Sequence, residues 1–136
     1  GCVQLEAPTE ITGGNETVLL VEDEMSIRVT MRLFLENLGY TVLAAEAPDK
    51  AIALAAEHAG TIDLLITDVV MPRMSGRELA DSLAADHPGT CVLYMSGYTA
   101  NVIAHRGVLD KGVNFISKPI TRDQLARKVR EVLDQM

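Results

Sequence analysis

The feature that most constrains this chain is a series of short, almost wholly apolar runs, each followed by a helical pattern. Val18-Leu19-Leu20-Val21, Asp63-Leu64-Leu65-Ile66-Thr67 and Cys91-Val92-Leu93-Tyr94-Met95 show little of the polar alternation of a half-exposed strand. Continuous hydrophobicity of this kind belongs to strands covered on both faces, the normal condition of a parallel sheet. Tyr40 to Ala45 and Val113-Asn114-Phe115-Ile116 read as two further strands.

The intervening segments have helical spacing. Ile27, Met31, Phe34 and Leu38 recur at intervals of four, three and four and form one face over 25–38, with Gly39 as the stop. Pro48 suits the first turn of a helix running to His58. Ser75-Gly76-Arg77-Glu78 and Thr121-Arg122-Asp123-Gln124 are capping boxes, in which the hydroxyl accepts from the backbone and the Glu or Gln reaches back. The first opens a helix to about Asp86. The second opens one with Leu125, Val129, Val132 and Leu133 on a single side, and a short helix is expected over 100–109. The order is (βα) five times, a doubly wound α/β fold with a five-stranded parallel sheet.

A chain of 136 residues is one domain and can bury a core without staples. That core is aliphatic, because aromatics are 4% and Trp is absent. Residues 1–16, with Gly13-Gly14-Asn15 and no periodicity, read as a linker or remnant, and the domain proper as 17–136. An opening Gly1 suggests a piece of a longer protein. A net charge of −7 argues against a direct nucleic-acid surface. No apolar run approaches the roughly 18 residues of a membrane span. Cys2 and Cys91 suggest neither a disulfide framework nor a metal motif, so a reducing, cytoplasmic compartment is expected. His58, His87 and His105 are scattered, and Arg122, Arg127, Lys128 and Arg130 read as a solvated basic side of the last helix.

In open α/β sheets ligands bind outside the carboxyl ends of the strands. Here those ends carry Glu22-Asp23-Glu24, Asp68, Ser96-Gly97 and Lys118-Pro119. Acids, a hydroxyl and an ammonium on one rim suit phosphoryl transfer. Clustered carboxylates hold a hard divalent cation, and oxygen-only ligands favour Mg²⁺. One carboxylate is then a nucleophile toward phosphorus, with charge on the transferred group held by metal and lysine. Glu24 is left to the start of the first helix, where an acid suits the macrodipole.

The segments VLLVEDE, DLLITDVVMPRMSG, VLYMSGY and FISKPI resemble those of response-regulator receiver domains, in the right order across about residues 17–134. The resemblance implies a flavodoxin-like strand order 2-1-3-4-5. It implies a phosphoacceptor at Asp68 and a Mg²⁺ site of Asp23, Glu22, Asp68 and the Val70 carbonyl. It also implies a phosphoryl-binding Ser96 and Lys118, a cis Lys118-Pro119 bond, and a switch pair of Ser96 and Phe115. The expected partner is a histidine kinase or a histidine phosphotransfer domain. Phosphorylation is expected to change the face made by the helix over 100–109, the fifth strand and the last helix, with a phosphorylation-driven homodimer left open. The domain is expected to assist its own phosphorylation and dephosphorylation rather than to act as an enzyme. Met95-Ser96-Gly97-Tyr98 and Gly107-Val108-Leu109-Asp110 look most like the receivers of hybrid sensor kinases. Apolar Val70 and aromatic Tyr98 are expected to shield the acyl phosphate and lengthen its life. Two rivals remain. A phosphatase of the haloacid-dehalogenase type wants a second Asp where Val70 stands, and a pseudo-receiver scaffold would lack one of Asp23, Asp68 or Lys118.

Overall fold

The computed structural model describes residues 13–69, 74–96, 114–117 and 120–134, with Ser96 described in its backbone alone. Five strands form one parallel sheet: β1 (Thr17–Val21), β2 (Thr41–Ala45), β3 (Leu64–Asp68), β4 (Cys91–Ser96) and β5 (Asn114–Ser117). Their order is β2-β1-β3-β4-β5, as expected, and every neighbouring pair is parallel. Four helices are described: α1 (Met25–Asn37), α2 (Pro48–Glu57), α3 (Gly76–Asp86) and α4 (Arg122–Leu133). The helix expected over 100–109 lies outside the described residues.

The strands are apolar on both faces because helices cover both. Val18, Leu20, Leu64, Ile66, Leu93 and Met95 face α1 and α4, where Met31, Leu35, Leu125, Val129 and Val132 meet them. Leu19, Val21 and Leu65 face the other way, against Ala51 and Ala55 of α2 and Leu79 and Leu83 of α3. Small residues on α2 let that helix lie close to the sheet. Alternate side chains of one strand therefore feed two separate cores.

Local signals set the helix ends. Ser75 Oγ accepts from Glu78 N at 3.1 Å while Glu78 Oε1 accepts from Ser75 N at 2.9 Å. Thr121 and Gln124 do the same at 3.2 and 3.3 Å. Pro48 occupies the first turn of α2. Gly39, at φ +101°, ends α1 in a backbone region that disfavours any side chain.

Residues 13–16, read from sequence as linker, are held by the fold. Gly14 N donates to Leu38 O at 3.1 Å, and a Cβ on Gly13 would collide with the same carbonyl. Arg130 of α4 bonds both carboxylate oxygens of Glu16, at 3.1 and 2.9 Å, and Asp134 at 2.8 Å. It also donates to Gly13 O and to the Tyr40 hydroxyl. Arg130 is therefore a cross-fold clamp and not part of a solvated basic side.

Candidate functional site

Strand register decides which groups share the rim. Val21 pairs with Thr67, so Glu22 and Asp68 are the next residues along β1 and β3. Asp68 in turn pairs with Met95, and Ser96 with Ser117, which brings the ends of β4 and β5 to the same edge. Glu22 and Asp68 are buried, while Asp23 is exposed. One carboxylate oxygen from each of Glu22, Asp23 and Asp68 lies within 4.8 Å of the other two. The structure thus brings together the three acids singled out from the sequence. Of the remaining expected site residues, Val70, Lys118 and the Lys118-Pro119 bond lie outside the described residues, as do Tyr98 and the Ser96 side chain.

Three carboxylates this close are electrostatically unstable alone. At 4.8 Å a pair of unit charges repels by about 3 kcal/mol at an effective dielectric of about 20. An all-oxygen, strongly anionic donor set suits a hard divalent cation, and Mg²⁺ in particular, which takes one or two carboxylates and keeps several waters. Glu22, Asp23 and Asp68 fit that ion.

The backbone around the acids is fixed from several sides. Glu22 N donates to Ala45 O of β2 at 3.1 Å, and Glu22 Oε2 accepts from Glu24 N at 3.0 Å. Arg28 Nη1 donates to Glu22 O at 2.8 Å. At β3, Thr67 Oγ1 donates to Asp68 O at 3.2 Å, Val69 N to Met95 O at 3.0 Å, and Gly76 N to Val69 O at 2.9 Å. Gly76 opens α3 directly against Asp68: a Cβ there would overlap the Asp68 carbonyl and press on Thr67 Cγ2. Sequence reading missed these supporting roles of Arg28, Thr67 and Gly76. A Gly in the first turn of a helix is a poor helix former and was the one available signal.

Phe115 is half-buried beside Val69 and Tyr94, and its register partner on β4 is Tyr94. It lies on β5, two strands over from Asp68 on β3, with β4 between them.

Sheet order and acidic rim together define a CheY-like doubly wound domain. The model of the response regulator receiver domain matches residues 18–130, and the chain belongs to that family. It is 36% identical over 132 residues to the sensor kinase CckA of Brucella abortus (strain 2308), covering 97% of this chain and 14% of that protein. It is 30% identical to the chemotaxis protein CheY of Pseudomonas aeruginosa, covering 88% of this chain and 97% of that one. The crystal structure of the receiver domain from the hybrid histidine kinase CckA superposes with a TM-score of 0.72 at 37% identity, covering 86% of this chain and 98% of that one. The chain is a receiver domain of two-component signalling and spans about a seventh of the CckA relative.

Proposed function

We propose that Asp68 takes a phosphoryl group from a phosphohistidine and that the product resets a partner-binding face. The observation that carries this is the convergence of Glu22, Asp23 and Asp68 from two strand ends into one cluster, with the Asp68 carboxylate buried at the tip of β3. Glu22, Asp23, Asp68 and the Val70 carbonyl would hold Mg²⁺, which supplies charge neutralisation for the incoming phosphoryl oxygens. Asp68 attacks phosphorus in line with the leaving imidazole. Lys118 and Ser96 bind the oxygens of the phosphoryl group. Ser96 moves toward it, and Phe115 turns into the space left. The half-buried setting of Phe115 beside Val69 and Tyr94 supports this, because the ring is not locked into the fully buried core. The domain assists its own phosphorylation and dephosphorylation without being a turnover enzyme.

The donor is a histidine kinase or histidine phosphotransfer domain, and it docks beside the rim along α1. That helix starts two residues after Asp23 and turns Met25, Val29 and Leu33 to solvent. The similarity to CckA over nearly the whole chain supports a hybrid-kinase parent, and the absence of a disulfide or metal motif at Cys2 and Cys91 fits a reducing, cytoplasmic setting. Among the described residues no helix is long and apolar enough to cross a membrane.

Incubation with acetyl phosphate and Mg²⁺ tests the reading. The expected outcome is one phosphoryl group per wild-type chain and none on Asp68→Asn. Multiple turnover of small phosphate esters would support a phosphatase instead, and absence of label a scaffold.

A further inference from the structure

We propose that Arg28 is a positioning residue for the cation site: it locks the acidic turn Glu22-Asp23-Glu24 through the Glu22 main-chain carbonyl. The inference rests on the reading of the rim as a Mg²⁺ site. The turn runs from the end of β1 to the start of α1, and four backbone hydrogen bonds hold it. Glu22 N reaches Ala45 O, and Glu24 N reaches Glu22 Oε2. Arg28 supplies the other two. Its backbone N gives the first main-chain bond of α1, to Glu24 O at 2.9 Å, as any residue there would; the bond particular to arginine is from its guanidinium to Glu22 O at 2.8 Å. Glu24 caps α1 without a side-chain hydrogen bond to the helix backbone, and its carboxylate accepts from Ser26 Oγ at 3.3 Å.

The choice of acceptor is the telling point. A guanidinium next to an acidic turn would ordinarily pair with a carboxylate in bidentate fashion. Such a pair would occupy the oxygens that a cation needs. Half-buried Arg28 takes the main-chain carbonyl instead, through a short charge-assisted bond. The bond fixes the residue that carries one acid and immediately precedes another. One carboxylate oxygen of each of Glu22 and Asp23 lies within 4.8 Å of one from Asp68. Outer groups that orient ligands in this way commonly change metal affinity by about 10–100-fold when removed.

Two effects of Arg28 on Mg²⁺ oppose each other, which makes the idea testable. As a positive charge near a dication site, Arg28 weakens Mg²⁺ binding, and its loss should tighten it. As the anchor of the turn, Arg28 strengthens binding, and its loss should weaken it. The experiment is a MgCl₂ titration of the ¹⁵N-labelled chain, following the Asp23 and Glu24 amides, with folding checked by circular dichroism. Arg28→Met keeps length and helix propensity but removes donor and charge, whereas Arg28→Lys keeps a charged donor. Arg28→Gln, equally uncharged, takes the place of Arg28→Met if that chain does not fold. We expect the uncharged variant to bind Mg²⁺ about tenfold more weakly than wild type and Arg28→Lys to recover most of the loss. Unchanged or tighter binding in the uncharged variant overturns the inference, as does equal weakening in the lysine variant. A wild-type chain that binds no Mg²⁺ overturns instead the reading of the rim, and the inference with it.

Discussion

At the scale of single residues, the site depends on backbone approaches that only certain side chains permit. Gly76 is the sharpest case. Its amide donates to Val69 O while a Cβ at this position would clash with the Asp68 carbonyl oxygen. Adding one methyl forces α3 away from β3 or pushes Asp68 off the rim. Gly76→Ala should therefore lower stability by about 1–3 kcal/mol, the usual cost of overpacking, despite the better helix propensity of Ala. Urea unfolding measures that cost. Acetyl phosphate labelling should fall with it, and full labelling at unchanged stability would show that the contact is slack. The residues with chemistry of their own were legible in the sequence. Glu22, Asp23 and Asp68 end apolar runs, and strand topology alone puts them on one edge. Gly76 and Arg28 were not legible in these roles, because their partners are main-chain carbonyls that look the same at every position.

At the scale of elements, α1 carries two apolar stripes, and sequence periodicity cannot say which one is buried. Ile27, Met31, Phe34 and Leu38 form the stripe expected inside, and in the fold Met31 is fully buried together with Leu35, which that stripe left out, while the other three are half-buried. The other stripe, Met25, Val29 and Leu33, is 67%, 48% and 54% exposed. Sequence reading passed over it, because it becomes an exposed surface only once the sheet has taken the opposite side. On the proposed docking along α1, these three apolar side chains at intervals of four would take a helix of the phosphohistidine-bearing partner. Leu33→Asp should cut the rate of phosphoryl transfer from such a partner by about 5–30-fold, the effect of losing an interface anchor of 1–2 kcal/mol. Labelling by acetyl phosphate, which needs no docking surface, should stay unchanged. Equal loss from both donors would instead place Leu33 in the integrity of the site itself. The capping boxes at Ser75 and Thr121 lie at the other extreme of legibility. Both form as read, because their partners are three residues apart in the sequence.

At the scale of the whole molecule, Arg130 ties the chain's entry to its last helix across 114 positions of sequence. The clamp joins Glu16, Tyr40 and Asp134 around one guanidinium, with Gly13 and Gly14 threaded over the Leu38-Gly39 turn. No local pattern reveals such a contact, since a lone acid ahead of β1 and an arginine on a basic-looking helix each pass for surface. The Arg130 hydrogen bond holds the Glu16 carboxyl below its ordinary pKa, against the opposing pull of burial, and the same guanidinium lowers Asp134. A carboxyl with a depressed folded pKa stabilises the fold fully above its unfolded pKa. That contribution fades as pH drops through the ordinary glutamate range and is gone below the folded value. The pairing of Glu16 with Arg130 has both side chains only 22–25% exposed and should contribute about 1 kcal/mol at neutral pH. Denaturant unfolding of wild type and Arg130→Met at pH 7 and pH 3 checks the sign. The difference between the two chains should be largest at pH 7 and smaller at pH 3. Amide exchange should show residues 14–17 opening first in the acidified wild type. A stability difference as large at pH 3 as at pH 7 would mean that Arg130 holds the entry segment through Gly13 and Tyr40, independently of its acids.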